Sequence, residues 1–154
     1  MKCSKCDDLA IISQRTSGNN LCAEHFTSKF ERRVRETLIK GNMIKEGDKI
    51  AVALSGGKDS TALLYALHKM LAGNRVELVA ITIDEGIEGY RDSTIKSARK
   101  IVENLGVDQQ ILTFRDDYGF DLDNVVQDGA MPCTICGVFR KNALNRAGQA
   151  FGRK

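Results

Sequence analysis

The spacing of apolar residues changes several times along the chain, and each change predicts a different element. Residues 1–25 are rich in Cys, Lys, Ser and Asn with little periodicity, which predicts a small knuckle unable to build a core unaided. From His25 the pattern turns helical: Phe26, Phe30, Val34 and Leu38 recur every fourth residue, and Gly41 stops the run. Lys45-Glu46-Gly47-Asp48 reads as a turn. Residues 49–54 then form a short, wholly apolar run after Lys49, which predicts a strand buried on both faces and hence a parallel sheet.

A helical pattern through Leu63, Leu64, Leu67 and Leu71 follows, with His68 read as a structural member of that helix. A second strand at 77–83 ends at Asp84-Glu85-Gly86, and a helix over about 92–105 is closed by Gly106. A third strand at 110–114 leads into an acidic loop at 116–123. The last helix is expected at about 134–147, after the single proline, Pro132. Strand–helix alternation of this kind is the pattern of a right-handed βαβ layer, so the fold class is α/β.

Composition narrows the function classes only a little. The chain has 154 residues and a formal net charge of +3, in the range of ordinary globular domains. No apolar run approaches a membrane span, and residues 1–20 carry no continuous apolar signal region, so a cytoplasmic location is expected. The distribution of charge says more. Between Asp84 and Asp128 there are eleven acids and five bases; after Asp128 there are only bases, Arg140, Lys141, Arg146, Arg153 and Lys154. The stretch after His25 adds Lys29, Arg32, Arg33, Arg35 and Lys40. Basic ends around an acidic middle suit either a polyanionic partner or two solvated helix faces.

The strongest local signal is Ser55-Gly56-Gly57-Lys58-Asp59-Ser60, set between a strand and a helix. Consecutive glycines allow a tight turn with exposed amides. Lys58 adds positive charge, and the Ser55 and Ser60 hydroxyls add donors at the positive end of the following helix. Together these make a site for linked phosphates. The loop is neither a Walker A motif nor GxGxxG, because Asp59 follows Lys58 and no glycine stands five residues before Gly57.

Cysteines supply two further motifs. Cys3-x2-Cys6-x15-Cys22-x2-His25 offers two close ligand pairs, which suits a closed tetrahedral Zn²⁺ that would fold residues 1–25. Cys133-Thr134-Ile135-Cys136 is a lone CxxC at a helix start, open among redox, zinc and iron–sulfur roles. Asp84 and Glu85 read either as Mg²⁺ or proton-transfer groups or as turn caps.

The hexapeptide resembles the PP-loop of the N-type ATP pyrophosphatases. With the zinc knuckle and the wording CTICGVFRKNALN, the chain resembles the tRNA 2-thiolation branch of that superfamily (the TtcA/TtuA family), the CGVFRK segment being nearest to its cytoplasmic members. The resemblance implies a fold of N-terminal zinc knuckle (1–25), basic amphipathic helix and linker (26–48), and a parallel-sheet, Rossmann-like, adenine nucleotide alpha hydrolase-like PP-loop domain (49–154), incomplete at its C-terminus. It implies ATP and Mg²⁺ at Ala53, Leu54, Ser55, Gly56, Gly57, Lys58, Asp59, Ser60, Ile83, Asp84 and Arg140, with Lys58, Asp59, Cys133 and Cys136 as the reactive groups. Cys3, Cys6, Cys22 and His25 would hold zinc, and Cys133 and Cys136 a [4Fe–4S] cluster whose third cysteine is absent from this chain. The activity implied is adenylation of a tRNA uridine at its 2-carbonyl oxygen, followed by sulfur transfer with release of AMP. The implied partners are tRNA, a sulfur donor such as a ubiquitin-like carrier, and a second copy of the chain. Two readings stay open beside it: a zinc-dependent tRNA- or nucleotide-binding fragment without independent catalysis, and a PP-loop ligase of the lysidine synthetase type.

Overall fold

The computed structural model describes residues 1–89, 91–126 and 131–152. Arg153 and Lys154, part of the expected basic end, lie outside the described residues. The chain forms two compact units, Met1–Ile44 and Lys45–Lys154.

The first unit is built on a β-hairpin that periodicity did not reveal. Strands β1 (Ile12–Gln14) and β2 (Asn19–Leu21) pair antiparallel, with Ile12 opposite Leu21. Gly18, in the left-handed region at φ +66°, makes the turn between them. Three-residue strands are too short to show alternation, which is why the sequence reads as irregular here. Helix α1 (Ala23–Lys40) follows and Gly41 caps it, its amide donating to the Thr37 carbonyl. The helix buries none of its residues fully.

The second unit holds a parallel sheet in the order β3-β4-β5, with β3 at Lys49–Ala53, β4 at Glu77–Asp84 and β5 at Asp108–Thr113. Helix α2 (Lys58–Leu71) connects the first pair and α3 (Arg91–Leu105) the second; Gly106, at φ +64°, ends α3 as expected. Along β4, Val79, Ile81 and Ile83 face helix α6 (Pro132–Phe151). There they form the core with Phe114, Ala143 and Ala147. Burial of each large apolar side chain contributes about 1.5–3 kcal/mol. The alternate positions Ala80 and Thr82 are fully buried on the other face, where α2 and α3 pack.

Three expectations need correction. Strand β3 is not buried on both faces: it is an edge strand whose Ala53 is exposed, and Ala51 and Ala53 line an open hollow against α6. The stretch expected as an acidic loop instead forms α4 (Phe114–Tyr118) and α5 (Leu122–Val126). The Thr113 hydroxyl accepts the Asp116 amide at 3.0 Å, and left-handed Gly119 ends the turn, so capping nucleates a helix that is too short for a periodic signal. The last helix is longer than expected, because Pro132 sits inside its first turn, where a missing N–H costs nothing, and the helix runs on to Phe151.

Candidate nucleotide and metal sites

The loop Ser55–Ser60 leaves the carboxyl end of β3, where ligands of open parallel sheets gather. Gly56 adopts φ +81°, and a Cβ there would run into the carbonyl of Thr94 on α3. Both conformation and space therefore demand glycine at this position. Gly57 is the N-cap of α2, and its amide donates to Ser55 Oγ at 3.4 Å. The Ser55 amide donates to Ser60 Oγ at 3.3 Å, the two hydroxyl oxygens lie 3.1 Å apart, and Ser60 Oγ donates to the Gly57 carbonyl at 3.1 Å. The loop is thus folded on its own hydroxyls at the positive end of a 14-residue helix.

Lys58 pairs with Asp59 at 2.7 Å, and both side chains are 89% exposed. An exposed pair of this kind is worth little and yields readily to an anionic ligand. Leu54 is buried beneath the loop, and Ala53 is exposed at the strand end. On β4, Ile83 is buried in the core and Asp84 accepts the Gly86 amide at 3.0 Å, a turn cap.

Glu85 has a different role from its neighbour. It is 2% exposed and holds two guanidinium groups, Arg91 Nε at 2.6 Å and Arg140 Nε at 2.8 Å. Arg91 also donates to the Ile83 carbonyl. A carboxylate buried this deeply persists only with such partners. Arg140 donates further, from Nη2 to Cys136 Sγ at 2.8 Å. Partial burial opposes the charge on Arg140, but the Glu85 carboxylate and Cys136 hold the guanidinium more firmly protonated than usual. The joint ties the end of β4 and the start of α3 to the CxxC turn of α6. Sequence reasoning did not find Glu85–Arg91, because nothing local marks which arginine a buried acid will meet. Arg140 and Cys136, one helical turn apart, were the visible half of it.

Cys133 is exposed and Cys136 buried, one turn apart at the start of α6. Both are free thiols, and together they offer two of the ligands an iron–sulfur cluster takes. Arg146, counted with the basic end, is instead spent on Asp117 at 2.7 Å.

In the first unit the N-terminal turn closed by the Lys2–Leu9 bridge brings Cys3 and Cys6 to Cys22 and His25 at the start of α1, and the four ligand atoms all lie within 4.8 Å of one another. His25 Nδ1 stands 3.6 Å from Cys3 Sγ, 3.5 Å from Cys6 Sγ and 3.2 Å from Cys22 Sγ, and the Cys6 and Cys22 sulfurs are 3.7 Å apart. Tetrahedral Zn²⁺ with Zn–S of about 2.3 Å places its sulfurs about 3.8 Å apart, so the donor set fits that ion. The thiols already differ in acidity. Burial raises Cys3, but the amides of Cys22 and Lys5 with the neighbouring thiols outweigh it and bring the pKa down to about 6. The Asp8 amide favours the Cys6 thiolate, yet burial and the Cys22, Cys3 and Asp8 side chains push that thiol up to about 12.

Comparison with known proteins separates the metal site from the phosphate loop but divides the chain earlier, at residues 26–27, so that α1 falls with the loop. Residues 26–130 match the PP-loop domain family, and residues 2–27 match the N-terminal LIM domain of the 2-thiouridine synthetase TtuA. The chain is 36% identical over 162 residues to the tRNA 2-thiolation protein NcsA of Haloferax volcanii, covering 99% of this chain and 50% of the relative. It is 38% identical over 153 residues to cytoplasmic tRNA 2-thiolation protein 1 of Drosophila sechellia, covering 97% and 45%. Among solved structures it resembles the U34-tRNA thiolase NcsA from Methanococcus maripaludis with its [4Fe–4S] cluster, at a TM-score of 0.85 and 42% identity, over 96% of this chain and 50% of that one. The chain spans about half the length of the curated relatives it matches.

Proposed function

The chain belongs to the PP-loop domain family, and from that premise we propose that it serves ATP-dependent formation of 2-thiouridine in tRNA, in a cytoplasmic setting. The observation that carries the reading is the loop Ser55–Ser60, folded on its own hydroxyls at the N-terminus of α2 with a lysine paired only at the surface. It stands in one chain with a Cys/His metal site and a CxxC turn.

In this reading the loop amides and the Ser55 and Ser60 hydroxyls grip the β- and γ-phosphates of ATP, and Lys58 leaves Asp59 to neutralise the departing pyrophosphate. Ala53, Leu54, Ile83 and Asp84, at the strand ends, border the adenosine. The uridine 2-carbonyl oxygen attacks the α-phosphorus; an oxygen–phosphorus bond forms and the bond to pyrophosphate breaks. A sulfur nucleophile then attacks C2 of the adenylated base, and AMP leaves with the former carbonyl oxygen. Mg²⁺, when bound with ATP, supplies the remaining charge neutralisation on the phosphates. A [4Fe–4S] cluster, when bound, supplies an iron that holds or activates sulfur, and Cys133 and Cys136 are its ligands from this chain. Zn²⁺ at Cys3, Cys6, Cys22 and His25 is structural, because four protein ligands leave no open position. Basic residues of α1 hold tRNA through phosphate contacts. A ubiquitin-like carrier or free sulfide donates the sulfur, and a second copy of the chain completes the assembly.

The test is ATP binding by calorimetry together with tRNA-dependent pyrophosphate release. Lys58→Ala is expected to weaken Mg·ATP binding by about tenfold or more, the worth of one charge-assisted contact. Equal binding by the variant and the parent would reject the reading. Nucleotide and tRNA binding without any pyrophosphate release would favour the binding-fragment alternative.

A further inference from the structure

Beneath the phosphate loop runs a buried polar relay that none of the reacting groups requires. Thr82, in the middle of β4, is 0% exposed, yet it carries a hydroxyl where a valine would fit the same space. Burying a hydroxyl among apolar groups is unfavourable unless it is hydrogen-bonded. Thr82 Oγ1 donates to the Leu54 carbonyl at 2.9 Å and accepts from Gln109 Nε2, on β5, at 2.8 Å. The relay therefore runs from β5 through β4 to Leu54, the residue between the end of β3 and the loop.

The carbonyl it reaches is the one that matters for the loop. The Leu54–Ser55 peptide is planar and trans, so its C=O and the following N–H point in opposite directions. Fixing the Leu54 oxygen on Thr82 aims the Ser55 N–H away from the sheet, and that N–H is the donor that meets Ser60 Oγ at 3.3 Å. From Ser60 the pattern continues to the Ser55 hydroxyl and the Gly57 carbonyl. Leu54 itself is anchored on its other side, its amide donating to the Ile81 carbonyl at 2.8 Å. Sheet and loop are thus joined at one peptide plane, and a side chain rather than the ladder sets the direction of its carbonyl.

We propose that Thr82, held by Gln109, is a positioning residue for the nucleotide: it sets the Leu54–Ser55 peptide plane and so aims the amides and hydroxyls of the loop at the phosphates. The inference rests on the loop being the phosphate site, but its first consequence, an ordered loop, does not need a ligand.

The experiment measures amide hydrogen exchange at residues 55–58 in the nucleotide-free chain and, separately, affinity for Mg·ATP. It compares the parent with Thr82→Val, Thr82→Ser and Ile81→Val. Thr82→Val keeps the shape and removes the donor; it is expected to speed loop exchange and weaken Mg·ATP binding, each by about tenfold. Thr82→Ser, which restores the hydroxyl, is expected to return both towards the parent. Ile81→Val lowers core stability on the opposite face and is expected to leave loop exchange and affinity unchanged. If Thr82→Val leaves both at parental values, or alters them no more than Ile81→Val at an equal loss of melting temperature, the proposal is overturned. Loop exchange that answers to Thr82 in a chain with no affinity for Mg·ATP keeps the positioning role and overturns the functional reading instead.

Discussion

Glu85 shows how a single residue can couple three elements. Its carboxylate is nearly inaccessible and faces two guanidinium groups, one from the start of α3 and one from α6. Removing it leaves the Arg91 charge buried without its partner, which costs about 3–5 kcal/mol. Glu85→Ala is therefore expected to lower the melting temperature far more than Lys58→Ala, whose side chain is exposed; thermal unfolding followed by circular dichroism compares the two. The contrast also marks what can be read from the sequence at this scale. Lys58 and the two serines announce themselves because their chemistry is local to six residues. Glu85 stands beside Asp84 in the same turn, and only tertiary packing separates the buried ion-pair partner from the turn cap. Thr82 and Gln109 gave no signal at all, since a threonine in a strand is ordinary.

At the scale of elements, the strands and helices that hold the loop were legible because each is long enough to display its period. The elements that were missed, β1, β2, α4 and α5, are five residues or fewer, and their existence depends on capping, turns and metal ligands. For the first unit the ligands dominate. Leu21, Cys3 and Cys22 are its buried side chains, a core far too small to offset the entropy of ordering 44 residues. A structural zinc ion contributes about 10–16 kcal/mol in small domains, enough to decide folding. Stripping the metal with a strong chelator is expected to unfold Met1–Ile44 while Lys45–Lys154 keeps its sheet. Amide exchange across the two segments checks this, with exchange confined to the first. Metal uptake should also release protons, because Cys6, with its thiol raised to about 12, must become a thiolate to bind.

Over the whole molecule, the charge pattern changes once the pairs are known. Arg140 and Arg146 face Glu85 and Asp117, which leaves less basic charge on α6 than the sequence suggests. On α1, Arg33, Arg35 and Lys40 are exposed, and Arg32 makes only a loose 3.8 Å pair with Glu36. Of these two basic segments, α1 therefore presents more unpaired charge to a polyanion than α6. Replacing Arg33 and Arg35 with Gln is expected to weaken tRNA binding and to reduce the slope of log affinity against log salt by about 1–2, while Lys141→Gln at the other end has a smaller effect; filter binding over a salt series measures both.

The two faces of β4 answer to different pressures. Val79, Ile81 and Ile83 look into the core against α6, whereas Ala80 and Thr82 look towards α2 and α3 and the base of the loop. Because side chains alternate at every residue, adjacent codons of one strand carry separate obligations. Tolerance to substitution along β4 should therefore not form one conserved block. It should alternate, with one set of positions accepting any side chain of the right volume and the other accepting only the right polarity.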